Sequence, residues 1–134
     1  MAHQNTVETI PFDGGALCFD FVNTVRNRKV SVVHNYLTTY QNFLTWCRRI
    51  QMWPESLLDS LSTYSQTHPA KTEAALHNIL STRENLYLLF LAIAAESTPP
   101  PEILSTFNQN MAQALAQLAL SFKDLEYEVQ VSIK

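Results

Sequence analysis

The sequence predicts a mainly α protein, a multi-helix orthogonal bundle with a small β element pairing the N-terminal segment with a C-terminal strand. Three observations carry this prediction. Leu, Ala, Gln and Glu are plentiful, and all favour helix. Glycine occurs only as Gly14-Gly15, too few for the turns of a sandwich or barrel or for a phosphate-cradling loop. Apolar residues recur at three- and four-residue spacing along most of the chain and switch to strict alternation only near its end. The 134 residues, 46% of them hydrophobic, suit one domain over 1–134 with a real core.

Each element follows from its own signals. "TVETIPF" (6–12) reads as a short extended segment, stopped by the turn chemistry of Asp13-Gly14-Gly15. Leu17, Phe21, Thr24 and Val25 recur at helical spacing, so 16–26 reads as a short helix. A connection follows, in which 30–33 is β-branched enough for a brief strand. A helix over 36–50 takes its apolar stripe from Tyr36, Leu37, Tyr40, Phe43, Leu44 and Cys47, with Trp46 beside it. Its C-terminal Arg48-Arg49 complements the helix dipole.

Pro54 suits a helix start, and Leu57, Leu58, Leu61 and Tyr64 form the inward face of a helix over 54–66. Pro69 opens the longest and most apolar helix, 69–96, which "STPPP" (97–101) terminates. A further helix over 101–122 carries Ile103, Leu104, Phe107, Met111, Ala114, Leu115 and Leu118. The tail "LEYEVQVSI" (125–133) alternates at period two, a half-buried strand whose expected partner is 6–12.

Several function classes are disfavoured. A net charge of −3 argues against direct nucleic-acid contact by this segment, and Arg26, Arg28, Lys29 and Arg48-Arg49 read as solvated surface. The four histidines are dispersed and the two cysteines form no CxxC, so no metal site or cofactor is expected. Cys18 and Cys47 sit in apolar surroundings and read as buried thiols of a reducing, cytoplasmic compartment, with a disulfide between them as the alternative. "MAHQNTVETIP" has no signal-peptide features, and the longest apolar stretch, "LYLLFLAIAA" (86–95), is too short for a membrane span of about 20 residues. It reads as a buried core helix.

Two charges stand out because they lie in apolar surroundings. Asp20 is flanked by Phe19 and Phe21 in "GGALCFDFVNT". Arg83 occupies the centre of a helical stripe formed by Leu76, Ile79, Leu80, Leu86, Tyr87 and Phe90. Burying either charge without a partner costs several kcal/mol. The favoured expectation is that Asp20 and Arg83 pair, bidentately where geometry permits. The alternative is that Arg83 snorkels to the rim and Asp20 caps a backbone turn. Glu84, rotated ~100° around the helix from Arg83, is expected to face water, the alternative being that it braces another element. Asn23 and Thr24 either satisfy buried backbone or line a small polar pocket with Arg83. Asp20, Asn23, Thr24 and Arg83 are therefore the candidate ligand-binding residues, and the ligand class they suit is a small anion such as a carboxylate.

At these residues the chain resembles a known family. "FDGGALCFDFVNT" (12–24) resembles the signature of the ABATE domain, the N-terminal part of bacterial CGNR zinc-finger proteins. "TYQNFLTWCRR" (39–49), "STRENLYLLFLAIA" (81–94) and "PPPEILSTFNQNMAQALA" (99–116) resemble later parts of that domain, in order. The first motif is the specific one, since its Gly-Gly, Asp and Asn-Thr fall at fixed offsets. The resemblance implies a helical domain of stress-related transcription regulators, in which a zinc finger follows this domain and contacts DNA. No CGNR run or CxxxxC lies before Lys134, so the expectation is either a fragment or a protein without the finger. DNA binding and zinc are thus not carried over. "RNR" (26–28) also departs from the family, where an aromatic residue is common.

Three functions compete. The first is a regulatory, ligand-sensing domain in which an anion competes with Asp20 for Arg83. The second is an interaction or homodimerisation module with no small-molecule ligand, suggested by surplus apolar faces. An enzyme ranks last and is not expected. No nucleophile–base pair, metal cluster or close carboxylate pair is visible, and Cys18 has no local activating histidine.

Overall fold

In a computed structural model, which describes residues 5–29, 33–123 and 126–131, the chain is mainly α. The elements in order are α1 (Leu17–Val22), β1 (Val25–Arg26), β2 (His34–Asn35), α2 (Tyr40–Ile50), α3 (Glu55–Thr67), α4 (Pro69–Ala94), α5 (Pro101–Leu115), β3 (Leu118–Lys123) and β4 (Glu126–Val131). The chain divides into two compact units, Met1–Glu84 and Asn85–Lys134.

The first unit has its core around α2. Val7, Ile10, Leu37, Leu44, Trp46, Cys47 and Leu58 are buried together, with Phe21, Tyr36, Tyr40, Phe43, Ile50, Leu61 and Leu80 packed against them. Helix α2 starts where the Thr39 hydroxyl accepts a hydrogen bond from the Asn42 N–H, satisfying an otherwise orphaned donor. It ends at Gln51 in a left-handed conformation (φ 62°). Trp46 lies tilted against Phe21 and stacked on Phe43, at 5.5 and 6.2 Å between ring centroids. Helix α3 packs on α2 through Leu58 and Leu61. Tyr64, expected on that inward face, instead lies exposed and stacks on His68 at 3.8 Å.

The β structure differs from the expectation. Residues 6–12 form no strand; Thr6–Thr9 is a turn closed by the Ile10 N–H donating to the Thr6 carbonyl (2.9 Å). Their apolar side chains still enter the core, Val7 and Ile10 at 5% and 2% exposure. Strand β4 pairs instead with β3 in an antiparallel hairpin, Leu118 opposite Val131 and Lys123 opposite Glu126. The expected helix 101–122 therefore stops at Leu115, because a hairpin partner close in sequence costs less loop-closure entropy than one at the far terminus. The first expected helix is likewise short, and Val25 and Arg26 leave it to pair with Asn35 and His34. Of the brief strand expected over 30–33, residues 30–32 lie outside the described residues, and Val33 belongs to no strand.

The second unit contains the end of α4, helix α5 and the β3–β4 hairpin. Leu89 and Ala92 are buried, and the Asn85 side chain donates to the Ile103 carbonyl at 3.1 Å. The run 86–95 is not a wholly buried helix: Leu88, Leu91 and Ile93 are 42%, 46% and 60% exposed. No helix among the described residues is long and apolar enough to cross a membrane.

Candidate functional site

The site grows from the Gly14-Gly15 turn. Gly15 adopts φ +82°, the left-handed region that glycine enters without steric cost. A Cβ on Gly14 would stand 2.8 Å from the Phe19 Cβ and 2.9 Å from the Asp20 nitrogen, so only glycine fits. The Gly14 N–H donates to Asp20 Oδ1 at 2.9 Å. Asp20 is thus the cap of a backbone turn, and it lies half-buried. Among the described residues it makes no ion pair with Arg83. The expected Asp20–Arg83 pairing is corrected to the turn-capping alternative, in which the carboxylate is satisfied locally and keeps access to water.

Beyond α1 the chain turns through Asn23 and Thr24 into β1. Asn23 is the C-cap of α1, with its N–H donating to the Phe19 carbonyl at 2.9 Å. Thr24 is fully buried. Its hydroxyl donates to the Phe21 carbonyl (2.7 Å), and its own carbonyl accepts from the Tyr36 N–H (2.9 Å). Across the β1–β2 pair, Asn35 closes an Asx-type turn in which Oδ1 accepts from the Leu37 N–H at 3.0 Å.

Arg83 meets this junction from α4. It is 4% exposed, and its Nη1 donates to Asn35 Oδ1 (2.8 Å) and Thr24 Oγ1 (3.2 Å). Its Nε donates to Glu84 Oε1 at 3.0 Å, so the neighbouring residue supplies the counter-charge. The other Glu84 oxygen, Oε2, accepts from Arg28 Nη1. Arg28 in turn holds the Val22 carbonyl through Nη2 at 3.1 Å. Glu84 therefore does not simply face water, and Arg28 is not simply solvated surface.

Electrostatically, two guanidiniums share one carboxylate. Burial lowers the Arg83 pKa; bonding and attraction from Glu84 oppose this, and repulsion from Arg28 adds to it. For Glu84, burial pushes upward, but the hydrogen bond and charge of Arg28, then those of Arg83, outweigh it and hold the carboxyl below its ordinary value. Glu84 is also the accessible member, its side chain 45% exposed against 15% for Arg28 and 4% for Arg83.

Of the four candidate residues, Thr24 and Arg83 meet through a hydrogen bond, while neither Asp20 nor Asn23 bonds Arg83 among the described residues. Sequence reasoning missed Asn35 and Arg28. Asn35 had a local signal, an Asx residue just before the apolar "YL". Arg28 had none, because its partner is 56 residues away. The cysteines separate as well: Cys47 is buried and Cys18 exposed, and both are free thiols. No group of three metal-ligating side chains occurs among the described residues.

Comparison with known proteins gives one family match. The model of the ABATE family, described as "Putative stress-induced transcription regulator", matches residues 15–129. No curated protein and no solved structure matches the chain.

Proposed function

Since this chain belongs to the ABATE family, we propose that it is the regulatory, ligand-sensing part of a bacterial, cytoplasmic stress-response transcription regulator. Its ligand is a small anion, and its role is binding rather than catalysis. The observation that supports this reading is the Arg28–Glu84–Arg83 cluster, set beside the hydroxyl of Thr24 and the amide of Asn35. Guanidiniums present planar donor pairs that match carboxylate and phosphate oxygens. Asp20 and Asn23 contribute by shaping the turn that carries Val22 and Thr24 to the two arginines.

An anion at this cluster alters the bonds that join α4 to the β1–β2 junction, and that shift is the signal. With a net charge of −3, the segment makes no direct contact with nucleic acid in this reading.

Thermal-shift measurements with acetate, succinate and inorganic phosphate, each against chloride at equal ionic strength, test the proposal. Stabilisation by one of these anions that Arg28→Met and Arg83→Lys abolish is the expected result. Absence of any anion-specific shift in the wild type would remove the sensing role.

A second reading, a homodimerisation module, draws on the second unit. Leu91, Ile93, Leu104, Met111 and Leu115 are all more than 40% exposed there. Apolar surface of this kind favours association. Sedimentation at high micromolar concentration discriminates: a monomer counts against this reading.

A further inference from the structure

The Glu84 carboxylate is held in an unusual way for a helical surface residue. Its two oxygens are divided between two arginines, Oε1 on Arg83 Nε and Oε2 on Arg28 Nη1. The two arginines are fixed from behind. Arg83 is anchored by Thr24 and Asn35, and Arg28 by the Val22 carbonyl. The result is a preformed pair of guanidiniums around one carboxylate, with that carboxylate as the group nearest solvent. A free carboxylate ligand bridging two guanidiniums would satisfy the same donors.

We propose that Glu84 is a built-in surrogate for the ligand: its carboxylate occupies the anion site formed by Arg28 and Arg83, and an external carboxylate binds by taking its place on Arg28. The inference rests on the anion-binding half of the function proposed above and adds how that site is regulated. Arg83, buried and multiply bonded, stays in place during the exchange. Arg28 is the member that changes partner. It follows Asn27, which holds φ 60°, in the connection between β1 and β2. Exchange at Arg28 thus acts on the segment that leads back to Asn35, and Glu84 sets the threshold because a ligand must outcompete it.

The test is chemical rescue in the full chain. Glu84→Ala removes the surrogate and leaves both arginines. We expect this variant to melt below the wild type, to be restored by acetate in a saturable manner and not by chloride at equal ionic strength, and to bind acetate at least tenfold more tightly than the wild type. Glu84→Gln fills the same space with a neutral group, so acetate should not rescue it. The proposal is overturned if acetate stabilises Glu84→Ala no more than the wild type, or rescues Glu84→Gln equally well. Should Glu84→Ala fail to fold in chloride, refolding by dilution into acetate decides: recovery in acetate alone supports the surrogate, and equal yield in both salts overturns it. The two readings fail separately. A wild type deaf to every anion beside a rescued Glu84→Ala removes sensing and keeps the surrogate. A responsive wild type beside an unrescued Glu84→Ala does the reverse.

Discussion

Arg83 and Asn35, 48 positions apart in the chain, meet through a 2.8 Å hydrogen bond from Nη1 to Oδ1. The same Asn35 oxygen accepts from the Leu37 N–H at 3.0 Å. A single amide oxygen therefore joins helix α4 to the segment that enters the main core at Leu37, which is wholly buried.

Removing either partner of this bond should destabilise the protein markedly. Arg83→Met leaves Glu84 to Arg28 alone and removes the charged donor from Thr24 and Asn35, a loss of about 1.5–3 kcal/mol. Asn35→Ala leaves the guanidinium and the Leu37 N–H short of an acceptor, about 1–3 kcal/mol. Because the two share one interaction, the double variant should lose less than the sum. Urea denaturation of the four proteins measures this; additive losses would mean that the bond carries no coupling.

Stability should depend on Glu84 in the acid range. Its native carboxyl titrates below the ordinary value, so the unfolded chain binds a proton first as pH falls. The contribution is complete well above the ordinary value of 4.5 and disappears as pH drops below it and through the lowered native value. Glu84→Gln should start less stable at neutral pH and converge on the wild type at low pH. The difference between their urea midpoints across that window isolates Glu84 from Glu8, whose carboxyl is also lowered. A constant difference would contradict the arginine bridge.

The thiols should separate cleanly. Cys18 is exposed and should react with a thiol reagent in the native state, whereas buried Cys47 should react only on unfolding. Burial pushes the Cys47 thiol up to about 11 from 9.0. The unfolded thiol thus ionises first as pH rises. Its contribution to stability is complete below pH 9 and falls away toward pH 11. Cys47→Ala should flatten that alkaline decline, read from denaturation midpoints, while Cys18→Ala leaves it in place.

Ile10 lies outside the family match at 15–129 yet is 2% exposed in the main core. Ile10→Ala should cost about 2–5 kcal/mol, the range for truncating a large buried aliphatic side chain. The segment is tied down further by Arg49, whose Nη1 donates to the Val7 carbonyl at 3.0 Å and whose guanidinium lies 4.3 Å from the Phe12 ring centroid. Arg49→Ala should therefore loosen residues 7–12 selectively, seen as faster amide exchange there than across α2. Uniform exchange in both would place the segment's anchoring elsewhere.

By itself the sequence determined the mainly helical class, the family and the odd placement of Arg83. Each is written locally, in periodicity, in the proline breaks before α4 and α5, and in the offsets of the "GGALCFDFVNT" motif. It also marked Asp20 as a charge needing an explanation. Which partner each charge takes was decided only in three dimensions. Asp20 turned to a backbone N–H six residues away, and Arg83 took its own neighbour Glu84 together with Thr24 and Asn35. Hydrogen-bond partners are chosen by distance and direction among groups already brought together, and hydrophobic periodicity places faces without stating what faces them. The strand pairing follows the same logic. Alternation in the tail identified a strand, but its nearest available edge, β3, emerged only when the preceding helix ended early.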